Sequence, residues 1–245
     1  GFSETNLVLQ KKNSKGLTIF TELMPRNLEN VISKSPEQLT DTNKLKIIIG
    51  IVSGLLEMCN KNIVHRNSKP QCILLNENFE PVISDFLFSS QAGNKYTNNI
   101  RTPFYIPPEL YNENLNNYNS YKIDSYSFGI ILYQILAEVK SSNVYPECNN
   151  LFKIMKLKFE NWIPDLPINL HYVFKNLIRS CWNTSIDERP HPQTIYNTLI
   201  ETFNSSYPLL PNINRSEVEE YINKLKFYQE GTKETNIYDE IRYLM

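Results

Sequence analysis

The sequence has few cysteines and no long hydrophobic run. None of its four cysteines forms a C-x-x-C pair, and no segment of it resembles a signal peptide. We therefore expect neither a disulfide framework nor a zinc site, and we expect a reducing, cytoplasmic location. The longest apolar runs, around residues 47–58 and 128–139, are about twelve residues long, whereas a membrane-spanning helix needs about 20. We therefore expect no membrane span in this chain.

A net charge of either sign is also nearly absent. The 25 basic and 26 acidic residues leave a formal net charge of −1. Such a balance gives no electrostatic attraction to nucleic acid, so no nucleic-acid partner is expected. Hydrophobic residues make up 41% of the 245 residues, which is enough for the core of one large domain or two small ones.

The apolar pattern predicts a short hairpin followed by a mostly helical chain. Residues 7–9 and 17–20 flank a polar turn and are expected to pair as strands, and residues 73–75 and 82–84 flank a second turn. A long loop is expected from residue 85 to about 108. The predicted helices are at 27–32, at 45–58 with Asp41 or Thr42 as the cap, at 121–139, at about 169–182 and at 192–203.

The chain from residue 204 onward begins with a proline-containing linker and continues as an amphipathic helix. Ser216-Glu217-Val218-Glu219 matches a capping box. Apolar residues follow at helical spacing, namely Val218, Tyr221, Ile222, Leu225 and Tyr228. This apolar face either packs back on the domain or docks a partner.

One segment carries most of the functional information. Residues 65–75 have the sequence HRNSKPQCILL. This segment resembles the catalytic loop of protein kinases, whose pattern is H-R-D-L-K-P-x-N. Asn67 stands where the family has its catalytic Asp, and Cys72 stands where the family has a metal-binding Asn.

The resemblance continues in family order and covers roughly residues 5–202. Asp85-Phe86-Leu87 resembles the D-F-G metal-binding motif. Further matches are Thr21-Glu22-Leu23-Met24-Pro25 to the hinge, Pro107-Pro108-Glu109 to A-P-E, residues 124–129 to the start of the central helix, and Cys181-Trp182 with Arg189-Pro190 to the close of the domain. The resemblance implies an α+β, protein kinase-like fold with a mostly helical C-terminal lobe and a two-strand remnant of the N-terminal lobe. Lys69-Pro70 and the closing motif together are typical of the tyrosine-kinase-like serine/threonine group.

Several departures from the family pattern predict impaired phosphoryl transfer. Asn67 offers a neutral amide in place of a carboxylate base, and loss of a general base costs about 10²–10⁴ in rate. Cys72 replaces a hard oxygen by a soft sulfur, which is a poor ligand for Mg²⁺. Leu87 replaces a Gly and restricts the backbone beside the metal ligand. Neither G-x-G-x-x-G nor V-A-I-K occurs in the 245 residues.

Other family positions are retained, and the resemblance gives them roles. Lys69 would face a phosphate and Asp85 would hold one Mg²⁺, although a solvated lysine and a structural acceptor are the alternatives. The resemblance implies nucleotide contacts for Glu22, Met24 and Leu74. It implies structural roles for His65, Arg66, Phe86, Glu109, Asp124 and Arg189. Among these, Glu109 and Arg189 would form a buried ion pair and Asp124 would hold the catalytic-loop backbone. His65 and Phe86 would occupy two stacked positions of a hydrophobic spine.

The segment before the A-P-E-like motif carries candidates for phosphorylation. These are Tyr96, Thr97 and Thr102. Since the sequence assigns no arginine cluster to receive a phosphate, regulation by phosphorylation is the weaker interpretation.

Retained structural residues beside altered chemical ones predict a pseudokinase. It would act as a scaffold or allosteric partner of another kinase or signalling protein, and its binding of ATP and Mg²⁺ would be weak or absent. Two alternatives stay open, an active serine/threonine kinase whose N-terminal lobe is encoded before Gly1 and a decayed gene product without a stable fold. Since the chain starts at Gly1, we expect a fragment, a processed chain or an incomplete gene model. The expected organisation is a small-lobe remnant and hinge at 1–24, a large lobe at 25–203, and a linker with a helical tail at 204–245.

Overall fold

The computed structural model describes residues 7–8, 21–94, 102–111, 120–146, 148 and 150–231. Its strands are β1 (Leu7–Val8), β2 (Thr21–Glu22), β3 (Arg26–Asn27), β4 (Ile63–Val64), β5 (Ile73–Leu75), β6 (Pro81–Ile83) and β7 (Ser90–Gln91). Its α-helices are α1 (Leu28–Lys34), α2 (Asp41–Asn60), α3 (Tyr121–Ala137), α4 (Leu151–Phe159), α5 (Tyr172–Cys181), α6 (Pro192–Asn204) and α7 (Arg215–Gly231). Long helices and very short strands confirm the α+β, kinase-like fold class.

Helices α2 and α3 form the centre of the core. Leu45, Ile48 and Val52 of α2 and Phe128 and Ile131 of α3 are fully buried. Both helices are apolar around most of their circumference, which is the pattern of a helix packed on several sides. Helix α3 packs against α5, while α2 packs against α6 and α7. Burial of each such side chain contributes about 1.5–3 kcal/mol.

The cap of α2 differs from the prediction. The Thr40 hydroxyl, not Asp41 or Thr42, caps the helix by accepting a hydrogen bond from the Asn43 backbone N–H at 3.2 Å. Asp41 and Thr42 instead hold the chain that leads to α7. The Asp41 carboxylate accepts from the Asn212 N–H at 3.0 Å, and the Thr42 hydroxyl accepts from the Asn214 N–H at 2.8 Å.

Three small antiparallel sheets lie around the helices. Strand β1 pairs with β2, so the first predicted strand has a partner at Thr21–Glu22, while residues 9–20 lie outside the described part. Strand β5 lies between β3 and β6, and β4 pairs with β7. The predicted strand at 82–84 is observed one residue earlier, as β6, and it pairs with β5 as the intervening turn indicates.

Helix α4 was absent from the sequence prediction. Its N-terminus is capped by Asn150, whose side-chain oxygen accepts from the Lys153 N–H at 2.9 Å. Its apolar residues Leu151, Phe152 and Phe159 are exposed. Its buried face consists of Ile154, Leu157 and Lys158. Because a lysine lies on this face and three apolar residues lie outside it, the apolar pattern of the nine residues does not mark the helix.

The tail helix α7 packs on the domain. Val218 is fully buried and Tyr221 and Ile222 nearly so. The Lys46 ammonium group lies 2.7 Å from the Glu217 carboxylate, which ties α2 to α7. The apolar face of the tail therefore contacts its own domain, as the first of the two interpretations held. The side chain of Tyr228 lies outside the described part.

The predicted capping box of the tail is wrong. Helix α7 begins at Arg215, so Ser216 lies inside it. Asn214 supplies the cap, because its side-chain oxygen accepts from the Glu217 backbone N–H at 3.4 Å and from the Ser216 hydroxyl at 2.8 Å. In the part of the chain that the structure describes, every helix is too short or too polar to cross a bilayer.

Candidate functional site

A cleft of about 660 Å³ lies above the sheet that contains β5 and β6. It is lined by Glu22, Met24, Leu74, Val82, Ile83, Ser84, Asp85, Phe86 and Leu87. The structure thus brings the three predicted nucleotide contacts, from β2, the segment after it and β5, to the predicted metal-binding segment. A volume of this size suits a small-molecule ligand.

His65 lies beneath the cleft and is fully buried. Its Nε2 atom lies 2.9 Å from the Ser84 carbonyl oxygen, which can only accept, so Nε2 carries the proton and donates. The Nδ1 atom then accepts from the Asn67 backbone N–H at 3.4 Å and from the Ser68 hydroxyl at 3.3 Å. One tautomer satisfies all three contacts.

His65 and Phe86, expected as neighbouring positions of a hydrophobic spine, are in contact. Their rings meet edge to face, with centroids 5.2 Å apart and an angle of 73° between the planes. Phe86 is 47% exposed and forms part of the cleft wall. It therefore belongs to the cleft surface, and only its contact with His65 reaches the core.

Asp124 holds the catalytic-loop backbone. One carboxylate oxygen accepts from the His65 N–H at 2.7 Å, and the other accepts from the Arg66 N–H at 2.8 Å. Arg66 has a left-handed backbone with φ of 65°, and its Nε atom donates to the Phe88 carbonyl at 2.7 Å. Charge-assisted bonds of this kind are short and strong, so α3 fixes the shape of the loop.

Asp85, Asn67 and Cys72 meet at one oxygen atom. The side-chain Nδ2 of Asn67 donates to Oδ2 of Asp85 at 3.2 Å, and the Cys72 thiol donates to the same atom at 3.6 Å. Asp85 has a left-handed backbone with φ of 66°, a region that Asp tolerates better than most residues. Leu87 follows in a 3₁₀ turn, Phe86–Phe88, outside the left-handed region.

The sulfur of Cys72 is a thiol and not a thiolate. Burial raises the pKa of Cys72, Lys69 lowers it and Asp85 raises it, and the net result is a pKa of about 12. At neutral pH the group therefore keeps its proton and acts as a donor to Asp85.

Lys69 contacts the segment that follows the cleft. Its ammonium group donates to the Thr102 hydroxyl at 3.1 Å. It is absent from the residues that line the cleft. Of the three phosphorylation candidates, Thr102 takes part in this bond, while Tyr96 and Thr97 lie outside the described residues.

Glu109 and Arg189 form a bidentate ion pair. Both carboxylate oxygens lie 2.7 Å from guanidinium nitrogens, and the Arg189 side chain is fully buried. Arg189 also donates to the Asn183 carbonyl at 2.7 Å and lies 4.7 Å from the Tyr126 ring centroid. The pair therefore ties the segment at 108–111 to the chain between α5 and α6.

Sequence reasoning missed Lys158 of α4. Its ammonium group donates to the backbone carbonyls of Pro103 and Ile106, and it lies within 5.8 Å of three tyrosine ring centroids. Burial lowers the pKa of Lys158 well below its usual value. This lysine therefore holds residues 103–106 in place. Nothing in the sequence around it distinguishes it from a surface lysine.

Comparison with known proteins identifies the family. The protein kinase domain matches residues 6–199. This chain belongs to the protein kinase family. One relative, from Acanthamoeba polyphaga mimivirus, carries the name serine/threonine-protein kinase/receptor R831. The chain is 31% identical to it over 183 residues, which are 71% of the chain and 10% of that protein.

A second relative comes from another organism. Over 194 residues the kinase domain is 29% identical to the dual specificity protein kinase shkA of Dictyostelium discoideum, covering 76% of the chain and 36% of that protein. The chain thus spans about a tenth of the viral relative and about a third of the amoebal one.

Kinase domains in general use ATP and Mg²⁺. The cleft suits the heterocyclic part of ATP, but it does not suit the metal ion. Met24, Leu74 and the neighbouring apolar walls suit a flat heterocycle. The metal position is different, because Mg²⁺ prefers hard oxygen ligands in an octahedral arrangement. Here Asp85 meets an amide N–H and a thiol, and no group of three metal-binding side chains occurs among the described residues. The donor set does not fit Mg²⁺.

Proposed function

We propose that this kinase domain is a pseudokinase of the tyrosine-kinase-like serine/threonine group. It transfers phosphate poorly or not at all, and it acts as a scaffold or allosteric partner of another kinase or signalling protein. The observation that carries this proposal is the bond from the Asn67 amide to Asp85. The Asn67 nitrogen donates a hydrogen bond here, and an amide nitrogen has no basic lone pair with which to accept a proton from a substrate hydroxyl.

The lost base has a predictable effect on the rate. Phosphoryl transfer needs a group that orients the hydroxyl and accepts its proton, together with metal ions that neutralise charge. Asn67 has negligible basicity, and loss of a general base costs about 10²–10⁴ in rate. Replacement of the family's asparagine by the Cys72 thiol removes a metal ligand as well.

The framework of the kinase fold is retained beside this altered chemistry. Asp124 holds the catalytic loop and Glu109 pairs with Arg189. Such bonds stabilise a shape that a partner can recognise without any transfer of phosphate. The group assignment is supported by Lys69-Pro70 and by Cys181-Trp182 with Arg189-Pro190.

The proposed location is a reducing, cytoplasmic one. All four cysteines are free thiols in the structure, namely Cys59, Cys72, Cys148 and Cys181. Proteins of oxidising compartments commonly pair such residues.

A phosphate-transfer assay tests the proposed function. Purified chain is incubated with radiolabelled ATP, a generic protein substrate, and either Mg²⁺ or Mn²⁺. Asp85→Ala serves as the matched control, because it removes the family's metal-binding carboxylate. We expect the wild-type signal to equal that of the variant. Metal-dependent transfer that the wild-type chain shows and Asp85→Ala loses would overturn the proposal.

An active serine/threonine kinase is the second candidate. It is favoured by the retained Asp85 and by Lys69, whose bond to Thr102 keeps the catalytic loop in contact with the following segment. This candidate predicts the opposite result in the same assay, so one experiment decides between the two.

A further inference from the structure

Two neutral donors converge on the oxygen atom that would face a metal ion. Asn67 and Cys72, which replace the family's base and its metal-binding Asn, both contact Oδ2 of Asp85. A carboxylate oxygen that accepts two hydrogen bonds has its charge partly compensated. A cation that binds Oδ2 of Asp85 would compete with both donors.

The charge of the cleft also disfavours a phosphate chain. Glu22 and Asp85 are acidic, and the described residues that line the cleft include no lysine or arginine. The two catalytic-loop cations have other partners, since Lys69 donates to the Thr102 hydroxyl and Arg66 donates to the Phe88 carbonyl. Without a cation from the protein or a metal, phosphates would meet carboxylates of like charge.

The walls of the cleft are apolar and accessible. Met24, Leu74 and Ile83 line it, Phe86 is 47% exposed and Leu87 is 78% exposed. An aromatic ligand that covers such side chains removes apolar surface from water, which favours binding by about 25 cal/mol per Å². Leu87, in the position of the family's glycine, adds to this surface.

We propose that the cleft binds an uncharged aromatic heterocycle of nucleoside size without a divalent cation. Asn67 and Cys72 satisfy Asp85 in place of a metal, and the apolar walls hold the rings. This inference rests on the proposed function, since it assumes that the altered catalytic loop no longer handles phosphate and metal.

Isothermal titration calorimetry with adenosine and ATP tests the inference. Each ligand is titrated into the purified chain with Mg²⁺ and again with a chelator. We expect the adenosine Kd to be unchanged by Mg²⁺, and ATP to bind at least about tenfold more weakly than adenosine in both conditions. Tighter ATP binding in Mg²⁺ by about tenfold or more would overturn the inference, and so would a lack of adenosine binding.

Two sets of variants test where adenosine binds and which residues prevent a response to Mg²⁺. Leu74→Trp fills the floor of the cleft and should abolish adenosine binding, while Leu151→Trp, at an exposed leucine of α4, should leave it unchanged. Asn67→Asp with Cys72→Asn restores the family's carboxylate base at position 67 and its metal-binding amide at position 72. In this double variant Mg²⁺ should strengthen ATP binding by about tenfold.

The result is separable from the proposed function. A chain that transfers no phosphate and binds no adenosine refutes the ligand inference alone. Metal-dependent transfer in the assay above refutes the proposed function itself.

Discussion

The Asn67 side-chain amide donates to Oδ2 of Asp85 over 3.2 Å, across eighteen residues of sequence. The two groups are complementary, because one is a neutral donor and the other an anionic acceptor. A carboxylate at position 67 would place two like charges at the same separation, which a bound cation could compensate. The pair therefore keeps the loop stable without a metal ion.

Asn67→Asp should lower the stability of the metal-free protein. We expect the free energy of unfolding to fall by about 1–3 kcal/mol, because Asp85 loses a donor and gains a neighbouring charge. Mg²⁺ should restore part of this loss, since a ligand that binds the folded state stabilises it. Urea unfolding with a chelator and with Mg²⁺ measures both effects. Asn78→Asp, at an exposed turn, is the control; equal losses in the two variants would refute the interaction.

Glu109→Gln should destabilise the fold strongly. The variant leaves the fully buried Arg189 guanidinium without its anionic partner, and breaking such a pair costs about 3–5 kcal/mol. The control is Glu219→Gln at the pair with Arg215, whose side chains are 51% and 46% exposed. That change should cost less than about 1 kcal/mol. Urea unfolding curves compare the two, and similar losses would contradict the framework role of Glu109.

Gly50→Ala should loosen the tail helix α7. A Cβ atom at this position would overlap the Tyr221 hydroxyl and lie 2.5 Å from Cγ of Pro81. Overpacking costs about 1–3 kcal/mol, which exceeds the gain of about 1 kcal/mol from replacing glycine within a helix. Faster amide hydrogen exchange in α7 would show the displacement.

Gly54→Ala provides the comparison for this variant. Its Cβ atom would meet the end of the Ile83 side chain at 2.9 Å, which can move. We expect a smaller effect on α7 than from Gly50→Ala. If Gly50→Ala stabilised the protein and left exchange in α7 unchanged, the close packing of α2 on α7 would be refuted.

Stability should fall in alkaline solution, in part through Cys181. Burial raises the pKa of this thiol from 9.0 to about 12. Between these values the unfolded chain has lost a proton that the folded chain keeps, so the free energy of unfolding decreases as pH rises. The slope for one thiol reaches about 1.4 kcal/mol per pH unit. The contribution of the Cys181 thiol to the free energy of unfolding is fully present below pH 9 and is lost as the pH rises towards 12.

Cys181→Ala tests this dependence. The variant removes the titrating group and should show a shallower loss of stability between pH 9 and 10.5 than the wild-type protein, by about 2 kcal/mol. Leu199→Ala is the control, because it also truncates a fully buried side chain but carries no proton. Its stability should be lower by a constant amount. Parallel curves for all three proteins would contradict the assignment.

The dense apolar pattern of α2 and α3 made these helices predictable from sequence. Helix α4 escaped prediction because its nine residues expose three apolar side chains and bury Lys158, so the apolar pattern does not mark its inner face. The cap at Asn214 escaped because Ser216-Glu217-Val218-Glu219 offered an equally good local pattern, and only the hydrogen bond from the Glu217 N–H to Asn214 decides between them. Local rules place helices better than their ends.

The cleft was only partly predictable. Motif order indicated that Glu22, Met24 and Leu74 would meet, and all three line the cleft. The contacts of Asn67 and Cys72 with Asp85 were not predictable, because they depend on the left-handed backbone of Asp85 and on side-chain directions. The role of Lys158 was also missed, because its acceptors are the backbone carbonyls of Pro103 and Ile106 and the sequence does not show which carbonyls a lysine will reach.

Paramagnetic NMR tests most directly whether Asn67 and Cys72 take the place of a metal at Asp85. Mn²⁺ is added in steps to isotope-labelled protein, with the Asn67→Asp, Cys72→Asn double variant as the positive control. In the wild-type protein we predict no selective broadening of the signals of Asn67, Cys72 and Ser84 relative to the Asp85→Ala variant. In the double variant these signals should broaden first. Selective broadening of the same three signals in the wild-type protein would contradict the account.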